Sequence, residues 1–253
     1  MSKHLIYCWI TGFILVSTSI HAQQDTLKVL FVGNSYTYGY NLPHIVSIIS
    51  GGTGTQLVTR KSTIGGATLR EHWHGQRGLR TRQIIAEGTF DAVVLQDHSL
   101  SATNHPDSTL KYVRLFAGYN LEHGAKTYLY NTWPRERVPQ FRAEINAMYV
   151  EAAGNSWAVR VPVGDAWALA LDVRPGVDLY TSDGSHPNEL GTLLTATLFV
   201  QTICGELPEK MPTLYMIHDA DGETVRLMNH HWEDAEFCRR IAEGLFIKET
   251  SDH

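Results

Sequence analysis

The chain has 253 residues, of which 43% are hydrophobic and 19% are charged. This length supports one domain with a full hydrophobic core and is short for two average domains. Its 21 basic and 26 acidic residues give a formal net charge of −5. Because no basic block interrupts the sequence, we expect no nucleic-acid partner.

The first 22 residues have the pattern of a secretory signal peptide. A positive Lys3 precedes a mostly apolar stretch, and small or polar residues follow as far as Ala22. We expect cleavage after Ala22, which makes 23–253 the mature domain, in the periplasm or outside the cell. The apolar stretch is shorter than the about 20 residues that a membrane helix needs, so we expect no stable membrane insertion. Cys8 lacks the preceding small residues of a lipoprotein-processing site.

Short apolar runs alternate along the chain with segments of helical periodicity. The predicted strands are 27–32, 56–61, 90–96, 127–131 and 158–163, and the predicted helices are 41–49, 66–87, 110–122, 140–153 and 188–204. Strands that alternate with helices pair in parallel, because a crossover helix returns the chain to the same edge of the sheet. The pattern predicts an α/β fold, a three-layer α/β/α sandwich around a mostly parallel five-stranded sheet.

The segment after the last predicted strand is harder to interpret. A hairpin is predicted at 213–227 and a closing helix at 232–246, and neither is assigned any chemistry. Two cysteines follow the predicted signal peptide, Cys204 and Cys238. An oxidising compartment would allow them to pair, but both lie in predicted helices, where free buried cysteines are common. The sequence leaves the disulfide open.

A serine follows the first predicted strand, in the segment Gly33-Asn34-Ser35. In open parallel sheets the ligand binds at the carboxyl ends of the strands, and nearby helix amides favour negative charge there. Ser35 is therefore a candidate nucleophile, and a helix cap or turn residue is the alternative interpretation. The segment lacks the G-x-S-x-G pattern of the α/β-hydrolases.

The segment Asp183-Gly184-Ser185-His186-Pro187 contains a second candidate. A carboxylate three residues before an imidazole can bind one ring nitrogen and leave the other free to act as a base. His186 is thus a candidate general base oriented by Asp183. The alternative is a helix-start aspartate beside an incidental histidine.

The two motifs, on an alternating sheet, resemble those of the SGNH hydrolases over nearly all of the mature chain. The resemblance implies a flavodoxin-like fold with Ser35 as nucleophile, although Asn34 stands where the family has Asp. It also implies an oxyanion hole made by the Ser35 amide, a glycine after the second strand and an asparagine after the third. Gly66 matches the glycine, and Gln96 stands in place of the asparagine.

The resemblance implies a serine esterase that acts through an acyl-enzyme. A Trp133 indole after the fourth strand would stack on a sugar ring, and Arg135 or Arg137 would pair with a uronate carboxylate. The alternative is a tryptophan packed under a loop beside solvated arginines. We expect hydrolysis of O-acetyl groups on carbohydrate. A lipid, thioester or peptide-linked acyl hydrolase with the same triad, or a non-catalytic glycan-binding protein, remains the alternative function.

Several histidines raise the question of a metal site. They are His72, His74, His98, His105 and the pair His230-His231. Their spacing matches no metal-binding signature and no cysteine pair accompanies them. We therefore expect neither a metal nor another cofactor, and the sequence does not indicate an oligomeric state.

Overall fold

The computed structural model describes residues 24–251, with side chains up to residue 246. The predicted signal peptide at 1–22 lies outside the described residues. No helix in the described part of the chain is long and apolar enough to cross a membrane.

Five parallel strands form the central sheet, in the order β2-β1-β3-β4-β5. They are β1 (Asp25–Gly33), β2 (Thr55–Thr63), β3 (Ala92–Leu95), β4 (Lys126–Tyr130) and β5 (Val159–Val161). Alternate residues of β1 enter opposite layers, because side chains of a strand alternate between the two faces of the sheet. Val29 and Phe31 pack in one core, and Leu30 and Val32 pack in the other.

Helices cover both faces of this sheet. In chain order they are α1 (Ser35–Tyr38), α2 (Leu42–Ser50), α3 (Leu69–His74), α4 (Thr81–Glu87), α5 (Ser101–Asn104), α6 (Pro106–Glu122), α7 (Arg142–Gly154), α8 (Val163–Val173), α9 (Glu189–Cys204) and α10 (Trp232–Ser251). Helices α2, α8, α9 and α10 contribute to one core, and α3 to α7 contribute to the other. The predicted three-layer α/β/α class with a parallel five-stranded sheet is confirmed.

The helices of the structure differ in places from the predicted ones. The single helix predicted from Gly66 to residue 87 is wrong: the chain forms α3 and α4, because Gly75 and Gly78 adopt left-handed backbone angles, with φ of 65° and 79°. Helix α8 was not predicted: the fifth strand was predicted to end at residue 163, and 164–173 was assigned to no element. Position 164 in this helix requires glycine, because a Cβ there would lie 2.5 Å from the Thr132 carbonyl oxygen.

The C-terminal part contains the predicted hairpin and closing helix. Strands β6 (Leu214–His218) and β7 (Thr224–Asn229) pair antiparallel, and α10 follows them. Cys204 and Cys238 are both free thiols. Burial raises the pKa of the Cys204 thiol to about 11, so this side chain is mainly protonated at neutral pH.

The close packing of α9 gives a prediction for stability. A Cβ on Gly191 would lie 2.3 Å from the Leu179 carbonyl oxygen and 2.8 Å from the Trp167 ring. Gly191→Ala is therefore expected to lower the free energy of unfolding by about 1–3 kcal/mol. Gly118→Ala, on the open side of α6, is the matched control and is expected to be neutral or stabilising by up to about 1 kcal/mol. Urea unfolding measures both, and an equally stable Gly191→Ala protein would contradict the packing.

Candidate active site

Ser35 is the first residue of α1 and is separated from the end of β1 by Asn34 alone. Asn34 caps this helix: its side-chain oxygen accepts a hydrogen bond from the Tyr36 amide at 3.2 Å. The side-chain Nδ2 of Asn34 donates to the Ala67 carbonyl oxygen at 2.9 Å, which ties the turn to the loop before α3. The backbone amide of Ser35 has no acceptor among residues 24–251. The turn thus presents both a hydroxyl and a free N–H.

A line of three side chains connects Ser35, His186 and Asp183. Ser35 Oγ lies 2.8 Å from His186 Nε2, and His186 Nδ1 lies 2.5 Å from Asp183 Oδ2. An ionised carboxylate only accepts hydrogen bonds, so Nδ1 carries the proton and Nε2 is left to accept from the serine hydroxyl. The three side chains singled out in the sequence therefore lie in one hydrogen-bonded line, with an unprotonated ring nitrogen next to the serine hydroxyl.

The loop before α9 holds Asp183 in place through its own backbone. The carboxylate accepts hydrogen bonds from the amides of Ser185 and His186 at 2.8 and 2.9 Å and from the Thr181 hydroxyl at 2.8 Å. Desolvation acts to raise the Asp183 pKa, but the hydrogen bonds from the His186 ring, these amides and Thr181 together hold the pKa well below its usual range. Asp183 therefore stays ionised at neutral pH.

Ser185 connects this loop to the core. Its Oγ lies 2.6 Å from the Tyr36 hydroxyl, and its carbonyl oxygen accepts a hydrogen bond from Trp133 Nε1 at 3.1 Å. The Trp133 ring stacks on Tyr36 and on Trp167, with ring centroids 5.0 and 3.7 Å away, and the residue is 1% exposed. The prediction that Trp133 stacks on a sugar is wrong, because its ring faces are occupied by core packing.

Gln96 lies behind the nucleophile turn and has no exposed surface. Its Oε1 accepts hydrogen bonds from the backbone N–H of Asn34 at 2.8 Å and from the Thr37 hydroxyl at 3.0 Å. Its Nε2 donates to the Asp97 carbonyl oxygen. A Cβ on Gly33 would lie 2.4 Å from the same Oε1, so only glycine permits this approach. The expectation that Gln96 donates to an oxyanion is corrected: its amide is consumed inside the protein.

A cavity of about 220 Å³ opens above Ser35 and His186. Its walls include Ser35, Gly66, His98, Ser99, Arg135 and His186. Gly66 has a left-handed backbone, with φ of 67°, and its amide has no acceptor in the described part of the chain. Gly66 thus lines the same cavity as Ser35, and His98 and Ser99 line it where Gln96 does not.

The arginines predicted to bind substrate are separated by the structure. Arg135 lines the cavity and donates from Nη2 to the Ser99 hydroxyl at 3.3 Å, whereas Arg137 is exposed and does not line it. Sequence reasoning missed Ser99. The signal that pointed to it was its place just after β3, at the same edge of the sheet as Ser35.

Two polar residues support the site from beneath. His72 Nε2 donates to the Gly33 carbonyl oxygen at 2.9 Å. Burial lowers the pKa of the His72 ring, so the ring is neutral and supports the Ser35 turn through this hydrogen bond. The Asp97 carboxylate accepts from the amides of Leu69 and His98 at 2.9 and 2.8 Å and fixes both loops. Among residues 24–251, no group of three or more histidine, cysteine, aspartate or glutamate side chains is placed to hold a metal ion.

Comparisons with known proteins identify the fold. The sequence matches no protein-family model and no curated protein. A proposed SGNH hydrolase from Slackia heliotrinireducens is 23% identical, with a TM-score of 0.61, over 71% of this chain and 100% of that one. A DUF4886 family protein from Bacteroides uniformis is 16% identical, with a TM-score of 0.68, over 88% and 95%. The lipase/acylhydrolase from Enterococcus faecalis is 17% identical, with a TM-score of 0.55, over 73% and 99%. These likenesses show that the chain has the fold of the SGNH hydrolases.

Proposed function

We propose that this protein is a serine esterase that hydrolyses carboxylic esters. The observation that carries the proposal is the line from Ser35 Oγ through the His186 ring to Asp183, with distances of 2.8 and 2.5 Å. His186 Nε2 takes the hydroxyl proton as Ser35 Oγ attacks the carbonyl carbon, and it returns the proton to the leaving alcohol. Water, deprotonated by the same nitrogen, then hydrolyses the acyl-enzyme and frees Ser35.

Backbone amides beside the nucleophile stabilise the oxyanion. Ser35 and Gly66 both line the cavity with amides that have no acceptor in the described residues. We assign a third donor to His98: its Nδ1 accepts from the Leu100 amide at 3.3 Å, which leaves the ring proton on Nε2. Each such donor contributes about 2.7–4 kcal/mol to transition-state stabilisation.

The cavity supports a small acyl group, and we propose an O-acetyl group on carbohydrate. Its volume of about 220 Å³ suits an acetyl group, and polar side chains in its lining, including His98, Ser99 and Arg135, suit an adjoining polar ring. A long apolar acyl chain would bury these polar groups without partners, which is unfavourable.

A larger groove favours a second candidate, an acyl hydrolase for lipids or thioesters. The groove holds about 720 Å³ and includes the apolar residues Pro134, Pro139, Leu171 and Val177. It borders the same 134–139 loop that carries Arg135 into the cavity. An acyl chain that left the cavity along this loop would find apolar contacts there.

We also propose that the protein is exported. The support is the signal-like pattern of the first 22 residues, with a basic start, an apolar stretch and Ala22 at the expected cleavage point. The proposed place of action is the periplasm or the exterior of the cell, where acylated glycans are accessible. Mass determination of the N-terminus of the protein recovered after expression with its leader tests this: a mature chain that begins at Gln23 is expected.

The ester proposal predicts the outcome of a substrate panel. Nitrophenyl esters with acyl chains of two to twelve carbons measure the chain-length preference. Acetate release from acetylated polysaccharides measures hydrolysis of the proposed O-acetyl ester. We expect the highest kcat/KM for the acetyl ester and none with Ser35→Ala, because the nucleophile has no substitute. A preference for long chains would favour the second candidate. Retained hydrolysis by a folded Ser35→Ala protein would contradict the triad.

The low pKa of Asp183 gives a prediction for pH. Since that carboxylate stays ionised, its own protonation does not limit the rate near neutral pH. A general base must be unprotonated to accept the serine proton, so kcat/KM is expected to fall as the solution is acidified from pH 8 towards pH 5. Asp183→Asn is expected to lower kcat by about 10²–10⁴-fold because it disturbs the required tautomer. A flat profile, with chemistry limiting the rate, would remove His186 from the role of base.

The buried position of Gln96 predicts an effect through the nucleophile turn. Gln96→Leu leaves the Asn34 amide and the Thr37 hydroxyl without their acceptor, so we expect a loss of about 1–3 kcal/mol in unfolding free energy together with a lower kcat. Thr37→Val, added to Gln96→Leu, is expected to have little further effect on kcat, because the pair is already broken. Urea unfolding and a double-mutant cycle on kcat test this. A lower kcat at unchanged stability would restore the oxyanion role.

A further inference from the structure

Arg135 places a positive charge beside the proposed nucleophile. It follows β4 and lines the same cavity as Ser35 and His186. One contact holds the guanidinium there, from Nη2 to the Ser99 hydroxyl at 3.3 Å. The Arg135 Nε–H is buried and has no acceptor among the described residues. A guanidinium has five N–H donors, so most of its binding capacity is unused.

The charge of Arg135 has no counter-ion in the described part of the chain. No carboxylate of residues 24–246 forms an ion pair with it. Asp183 is engaged by the His186 ring and by Thr181. Burial raises the pKa of the nearby Tyr36 phenol, so that side chain is neutral and supplies no negative charge. A half-buried guanidinium without a counter-ion is unfavourable, which makes the cavity receptive to an anion.

We propose that Arg135 binds a carboxylate of the substrate next to the scissile ester. This inference rests on the proposed esterase function and specifies its substrate class as anionic esters. The carboxylate belongs either to the alcohol part, as in an acetylated uronate, or to the acyl part, as in the half-ester of a dicarboxylic acid. In both cases the planar guanidinium forms paired, charge-assisted hydrogen bonds that a neutral ester cannot form.

The test compares anionic and neutral esters that are otherwise matched. Acetylated methyl glucuronoside against acetylated methyl glucoside examines the alcohol part, and nitrophenyl hydrogen succinate against nitrophenyl acetate examines the acyl part. The wild-type protein is expected to prefer the anionic member of one pair by about 10-fold or more in kcat/KM. Arg135→Met is expected to reduce that ratio by about 10- to 100-fold.

Two further variants make the comparison specific. Arg135→Lys keeps the charge but loses the planar fork, and we expect an intermediate ratio. Arg137→Met removes an exposed arginine two residues away and is the matched control, expected to keep the wild-type ratio. The preference is expected to weaken as salt rises, since screening reduces the attraction of the carboxylate.

A binding measurement separates this inference from the esterase proposal. Ser35→Ala protein is titrated with methyl glucuronoside and with succinate, and Kd is compared with that of Ser35→Ala/Arg135→Met. Weaker binding by the double variant supports the anion site even if no ester is hydrolysed. Equal anionic-to-neutral ratios in wild type and Arg135→Met, or equal Kd values in the binding pair, would overturn it. Failure of every ester with anion binding intact would count against the esterase alone.

Discussion

The site depends on the contact between the end of β1 and the residue that follows β3. The two strands are neighbours, with Val32 opposite Leu95, so their loops start at the same edge of the sheet. Gln96 reaches from one loop to the other, and its Oε1 accepts a hydrogen bond from the backbone N–H of Asn34. A buried amide must find an acceptor, so the turn that carries Ser35 has one stable arrangement. The absence of a side chain at Gly33 makes this approach possible.

His186 lies on the loop before α9, and this loop is fastened to the turn that carries Ser35. Tyr36 follows the nucleophile directly, and its hydroxyl contacts Ser185, the residue before the base. Its ring stacks on Trp133, which bonds the Ser185 carbonyl. The Ser35–His186 contact is therefore reinforced by a second contact between the adjacent residues, Tyr36 and Ser185. This explains how two partly exposed groups, His186 and Asp183, keep a fixed geometry although their side chains are 41% and 48% exposed.

The sequence predicted the layers and the grouping of Ser35, His186 and Asp183 better than the walls of the cavity. Apolar runs such as that of β3 are buried on both faces, so their position and pairing follow from composition and alternation. The break at Gly75 depends on two left-handed glycines, whose backbone angles a helical period does not reveal. Trp133 and Gln96 share another difficulty: a side chain at a strand end can turn into the core or into the cavity. Stacking on Tyr36 turns Trp133 into the core. The backbone N–H of Asn34, which needs an acceptor, turns Gln96 inward.

The sequence separation of the two central groups has a consequence for biosynthesis. Ser35 and His186 lie 151 positions apart, and the loop that holds the base follows all five strands of the sheet. Closing so large a loop costs more entropy than local pairing, although the cost grows only slowly with length. A chain still emerging from the ribosome thus has its serine without its base for most of translation. The proposed activity requires the complete sheet and the C-terminal layer that closes on it, so ester turnover would report completed folding.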